Sequence, residues 1–421
     1  MKESLLHFVW QYRLFSTINL TTSDGEELEV IDVGILNRDE GPDFFNAKIK
    51  IGGTVWAGNV EIHVKASDWN KHQHKDNPQY DSIILHVVEQ NDADIYRTNT
   101  EKIPCLTLNI PQRIKEQYKE LIENKKWIPC ADKLKQVPSI VVNSWKNALL
   151  IERLQLKTAA LKSLLVATET HWEEVFYISL ARSMGFSVNS QTFEMLAKSL
   201  PLAVLAHHKN DLFQVEALLF GQSGLLPEHS DEEYVLRLKT EYVHLKSKYN
   251  LNALNGQVWK FLRLRPDNFP TIRIAQFAAI IHYSNKLFSK VVDNPNSDFI
   301  RKVLSVVPSE YWYTHYLFGE SSASKQKKIG DLSLNGLIIN TVVPLLFLYG
   351  THTGNDTLKN KSLEVLETLP AEKNSIIAGW QNAGMLIESA YDSQAYIHLK
   401  RNYCELKKCM QCRIGHKILT I

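Results

Sequence analysis

The sequence predicts a two-part chain of mixed α and β structure, a small mixed-sheet domain at the N-terminus followed by a large all-helical domain. Three observations carry this expectation. Before Pro111 the apolar residues fall in short β-branched or alternating runs bounded by turn signals, which is the pattern of strands. After it, apolar residues recur at helical spacing through stretches such as SWKNALLIERLQLKTAALKSLLV, HWEEVFYISLARSMGF and PTIRIAQFAAIIHYSNKLFSKVV. A length of 421 residues also exceeds what one core ordinarily organises.

Taken in order, residues 3–15 show helical spacing and LEVIDVGI (28–35) reads as a strand. FFNAKIKI runs into Gly52-Gly53, a tight-turn signal, and VWAGNVEIHVKA returns from it. In the returning strand Val60, Ile62 and Val64 share one face while Glu61, His63 and Lys65 share the other. SDWNKHQHKDNPQYD is a polar crossing, SIILHVVEQ (82–90) a strand of the buried kind, and IPCLTLNI (103–110) the last strand. The expected divisions are 1–110 for the α/β domain, 111–138 for a polar connector, 139–400 for the helical domain and 401–421 for a cysteine-containing tail.

Composition narrows the function classes only modestly. Hydrophobic residues make up 44% and charged residues 22%, as in ordinary globular proteins. With 48 basic and 46 acidic residues the net charge is +2, so nucleic-acid binding requires a local basic groove. The apolar run at the N-terminus is broken by His7, Gln11 and Arg13 and is followed by no small-residue cleavage site. No uninterrupted apolar run approaches ~20 residues, GLIINTVVPLLFLYG being the nearest, so no membrane partner is expected. Five cysteines, three of them within 404–412, suit a reducing compartment better than a disulfide framework, and the expected location is the cytoplasm.

The chemistry concentrates in EGPDFFNAKIKIGGTVWAGNVEIHV (40–64). A twisted hairpin sets an acidic residue at the start of one strand beside a carboxylate on the next. Asp43 and Glu61 stand in that relation across the Gly-Gly turn, with His63 on the Glu61 face. Two or three protein oxygens suffice to hold Mg²⁺ or Mn²⁺, which neutralises phosphate charge and supplies an activated water. GPD, the hairpin and VEIH together resemble the core of the PD-(D/E)xK nuclease superfamily. The order helix, three strands, crossing, two strands is similar to its restriction-endonuclease-like fold. The resemblance implies that Asp43 and Glu61 are metal ligands and that His63 occupies the place of the water-orienting lysine. His63 is only partly cationic at neutral pH, so Lys65 on the same face is the alternative source of fixed charge. Glu26, Glu27 and Asp32 are candidates for a further ligand.

Other readings stand beside this one. Pro42 and Asp43 also suit a simple strand-entry turn, with Glu61 and His63 on a solvated strand face. His63, His72, His74 and His86 with Asp43 offer a transition-metal alternative, although His72 and His74 are expected at the surface and His86 in the core. The hypotheses are therefore a Mg²⁺- or Mn²⁺-dependent nuclease acting on DNA or RNA, an inactive nuclease-like module that binds nucleic acid or protein, and a metal-stapled interaction scaffold. Over its length, the chain also resembles an uncharacterised bacterial family carried as a domain of unknown function. The shared features are GPDF.NA, G.VEIH, DW..H, LHVV, IPC, VVP…YG and the C-terminal YC…C..C.IG.

In the tail, Cys404, Cys409 and Cys412 make a soft ligand set whose Cys-x₂-Cys bite folds around one metal. Zn²⁺ is the expected ion, with His416 or Cys130 as the fourth ligand. The nuclease resemblance implies the alternative of an iron–sulfur cluster that uses Cys130. Lys260, Arg263, Arg265 and Arg273 make the best local basic patch for phosphate contact, against the alternative of a solvated turn. Trp145, Trp172, Trp259, Trp312 and Trp380 are expected in the helical core.

Overall fold

Alternation in FFNAKIKI fixes the sheet of the first unit: Phe44, Ala47, Ile49 and Ile51 are buried while Lys48 and Lys50 are exposed. The strands are β1 (Leu20–Thr21), β2 (Glu27–Asp32), β3 (Ile35–Leu36), β4 (Phe44–Ile51), β5 (Thr54–Lys65), β6 (Ile83–Gln90) and β7 (Cys105–Thr107). They form one mixed sheet in the order β1-β2-β4-β5-β6-β7, with β3 also paired to β4. The pairs from β1 to β5 are antiparallel, while β5–β6 and β6–β7 are parallel. The computed structural model describes residues 3–37, 39–74 and 77–421.

The tight turn between β4 and β5 has φ of 54° at Gly52 and 89° at Gly53, the sign a two-residue hairpin turn needs at both positions. Near its start β4 slips register between Phe44 and Ala47, where Asn46 takes a left-handed φ of 56°. Such a bulge re-aims the neighbouring side chains, and here it adjoins Asp43. Helix α1 (Glu3–Gln11) buries Leu5, Leu6, Phe8, Val9 and Trp10 and lies against β5. The crossing from β5 to β6 carries α2 (Asp68–Lys71), which buries Trp69.

The first compact unit comprises Met1–Trp145 and Leu399–Ile421, the second Lys146–His398. The expected connector contains helix α3 (Gln112–Glu123) and counts with the first unit, as does the cysteine tail. The second unit is helical apart from a two-stranded ribbon, His315–Leu317 with Glu320–Ser321. Trp259, Trp312 and Trp380 are buried there, whereas Trp172 is half-buried and Trp145 is buried in the first unit. The segment judged too short for a membrane span belongs to a 23-residue helical stretch, Asp331–Thr353, because the helix continues through a π turn at Ile338–Val342. Its length and composition would allow it to cross a membrane, but 72% of the apolar window is buried inside the protein, as in a core helix.

Candidate metal centre

Both faces of the second half of β5 are buried. Val60 and Ile62 fill the core on one side, while on the other Glu61 is 4% and His63 1% exposed. A solvated strand face is therefore not what Glu61 and His63 occupy. A buried carboxylate beside a buried imidazole calls for partners, and two sets meet here.

The first set joins the hairpin to α1. The Asp43 amide donates to Glu61 Oε2 at 3.1 Å, and the Ile62 amide donates to Asp43 Oδ2 at 2.9 Å. His7 Nε2 lies 3.2 Å from Asp43 Oδ2 and 3.9 Å from Glu3 Oε1. One donor atom from each of Glu3, His7 and Asp43 falls within a 4.8 Å group. Glu3 and His7 were not among the expected ligands. The signal for them is their i, i+4 spacing, which places both on one face of α1. Glu26, Glu27 and Asp32 are instead exposed, and Asp32 Oδ1 accepts the Gly34 amide at 2.9 Å.

The second set is imidazole-rich. His63 Nε2 lies 3.1 Å from His72 Nδ1, His63 Nδ1 lies 2.8 Å from His86 Nε2, and His74 Nε2 lies 3.2 Å from Glu61 Oε1. His72 is exposed, as expected of a surface residue, and His74 half-buried, yet both rings reach this cluster; Gln73 between them has a left-handed φ of 60°. His74 stacks on Tyr80 at 3.9 Å, and Trp69 stands edge-on to His63, His74 and His86.

Electrostatics follow from this crowding. Burial, then the Asp43 charge, pushes Glu61 up to about 9, and burial with Asp43 also raises Glu3. For His7, burial acts downward, but the hydrogen bond and charge of Asp43 overcome it and the pKa rises. Burial, then His86, His72 and His74, lowers His63 to about 2, and burial lowers His86 to about 3. Neutral His63 therefore does not supply the cation expected at its position. Lys65 is exposed and lies near Asp92, whose pKa is lowered by the Ser67 hydrogen bonds first and by Lys65 last.

The four expected thiols gather in the first unit. Burial, then Cys412 and Cys409, pushes Cys130 up to about 12, and burial with Cys130, Cys412 and Cys409 raises Cys404. Cys130 thus stands with the tail cysteines, whereas the His416 ring packs 4.3 Å from Tyr12 and 5.3 Å from Phe8. Gly415 permits the close approach of the last helix, since a Cβ there would meet the Cys409 carbonyl at 2.1 Å.

The basic patch needs a correction. Arg263, Arg265 and Lys260 are exposed, but Arg273 is 4% exposed and offers no phosphate contact. Its guanidinium donates to Gln276 Oε1, Asn268 Oδ1 and Ser333 Oγ and lies over the Phe186 ring.

A family model described as "Protein of unknown function (DUF2851)" matches residues 3–375. The chain belongs to the DUF2851 family. The match takes in the whole hairpin and histidine region of this DUF2851 protein and stops short of its cysteine tail. No curated protein and no solved structure matches the chain.

Proposed function

We propose that this DUF2851 protein is a divalent-metal-dependent phosphodiesterase acting on DNA or RNA. The observation that carries the reading is the pairing of Asp43 with Glu61 across the β4–β5 hairpin, with Glu3 and His7 of α1 on the same side. The sequence of helix, antiparallel strands, crossing helix and parallel strand supports kinship with the PD-(D/E)xK superfamily. The two carboxylates and one imidazole of Glu3, Asp43 and His7 suit Mn²⁺ better than Mg²⁺, because a nitrogen donor favours the later metal. A bound cation also relieves the repulsion between Asp43 and Glu61. The four thiols of Cys130, Cys404, Cys409 and Cys412 would hold a structural Zn²⁺, with an iron–sulfur cluster as the alternative.

The test is cleavage of single- and double-stranded DNA and RNA by the purified chain with Mn²⁺ or Mg²⁺. Activity lost in Asp43→Asn with the fold retained supports the reading. No cleavage by the wild type, with no Mn²⁺ binding that depends on Asp43, would overturn it. Burial of neutral His63 where the superfamily carries lysine favours the second reading, an inactive nuclease-like binding module. That reading predicts nucleic-acid or protein binding without cleavage.

A further inference from the structure

Three imidazoles meet in the first unit with the spacing of a coordination shell, and one carboxylate oxygen lies beside two of them. His63 Nε2 lies 3.1 Å from His72 Nδ1 and 3.6 Å from Glu61 Oε1, and the same Glu61 oxygen lies 3.2 Å from His74 Nε2. The three histidines each offer a nitrogen within a 4.8 Å group. A tetrahedral ion bound at about 2.0–2.1 Å to each donor spaces its donors about 3.3–3.4 Å apart. The observed separations bracket that edge length.

Hydrogen bonding accounts for part of the cluster. His72 Nδ1–H can donate to His63 Nε2 and His63 Nδ1–H to His86 Nε2, but Glu61 Oε1, 3.6 Å from His63 Nε2, makes no hydrogen bond with it. With a cation on Nε2, the His63 proton sits on Nδ1 and is donated to His86 Nε2, the arrangement that orients a metal-bound imidazole. Between His72 and His74 the backbone passes through a left-handed Gln73, φ 60°, a conformation non-glycine residues seldom adopt.

We infer that His63, His72 and His74 form a three-imidazole site, with Glu61 beside it, for a borderline-soft divalent ion of the zinc class. Imidazole suits Zn²⁺ and its neighbours in the transition series, whereas carboxylate and water suit Mg²⁺. Three imidazoles leave the fourth position of a tetrahedral ion open. Glu61 Oε1 lies beside His63 and His74, while Oε2 accepts the Asp43 amide. The site adjoins the proposed phosphodiesterase centre at Glu61 but does not depend on its activity.

The experiment compares the full chain with a His72→Ala/His74→Ala variant after zinc loading and gel filtration. Zinc per chain is counted, and zinc-edge X-ray absorption reads the imidazole scattering. His72 is exposed and His74 half-buried, so the variant keeps its core, as circular dichroism will check. Zinc held by the cysteines is common to both proteins and cancels in the difference. The expected result is a loss of one equivalent together with the imidazole signature. Equal zinc in the two proteins, no zinc in either, or unchanged imidazole scattering overturns the site and leaves a buried histidine network. Cleavage sensitive to Asp43→Asn without imidazole-bound zinc defeats this inference alone. Imidazole-bound zinc without cleavage defeats the phosphodiesterase reading alone.

Discussion

The two units bury ionisable side chains in opposite ways. In the second, several buried charges meet groups of complementary sense: Glu216 accepts from Tyr234 and Ser309 hydroxyls, each at 2.8 Å, and Lys327 donates to the Trp312 and Tyr313 carbonyls. Arg273 donates to three side-chain oxygens. In the first unit, Glu61 faces Asp43 and imidazole faces imidazole. Buried polar groups in complementary networks stabilise a fold. Like groups held together lower stability unless something else pairs with them, and a cation does so. The comparison separates structural polarity from a site.

The largest effect should come from breaking the unlike case. Replacing Asp43 by Asn removes a ligand charge, and metal-dependent cleavage should drop by at least about 10²-fold in single-turnover assays. In chelator the melting temperature of the same variant weighs the repulsion removed from Glu61 against the loss of the charged partner of His7, and a rise means that the repulsion is the larger. Lower stability in chelator would assign Asp43 to the complementary class. Next in size is the thiol cluster. Cys130→Ser should lower tail-bound metal, read by elemental analysis with the visible spectrum to separate zinc from iron, and should destabilise the first unit. Unchanged metal content with all five thiols freely titrating in the native state would remove the staple.

Much of the first unit was legible in the sequence because strand alternation and the Gly52-Gly53 turn are local signals. Asp43, Glu61 and the cysteine spacing were likewise visible along the chain. The contribution of Glu3 and His7 was not, since their i, i+4 spacing puts both on one face of α1 but only tertiary packing turns that face toward the hairpin. His72 and His74 read as surface residues because their polar neighbours suggest a solvated loop, and His72 is exposed; what the sequence does not show is that both rings reach His63 and Glu61. Arg273 was misread for a related reason: a basic residue beside Arg263 and Arg265 looks like part of a patch, but it lies on a helix whose every turn is buried.

Arg273 sharpens the complementary case. Truncation to alanine leaves Asn268, Gln276 and Ser333 without their shared donor and opens space under Phe186. Removing one member of such a buried network costs about 3 kcal/mol. Urea denaturation should show that loss, while Arg263→Ala, at an exposed position, should change stability little. Equal effects would mean that burial does not set the worth of these cations.

Glu216 supplies the subtlest test, because complementarity there is incomplete. Burial raises its pKa from 4.5 to about 7 even though Ser309 and Tyr234 pull it back down. The folded carboxyl therefore holds its proton more tightly than the unfolded chain does. Between pH 4.5 and 7 the native state carries more protons, so stability falls as pH rises. The contribution is fully present below pH 4.5 and is lost as pH passes through about 7. The shift corresponds to at most about 3 kcal/mol. Glu216→Gln cannot titrate and keeps the packing, so subtracting its stability profile from that of wild type isolates the effect from the histidines. The difference should decline across that interval and flatten above about pH 8. A flat difference curve would mean that Glu216 is held ionised by its two hydroxyl partners and that the second unit is as fully complementary as its other buried charges suggest.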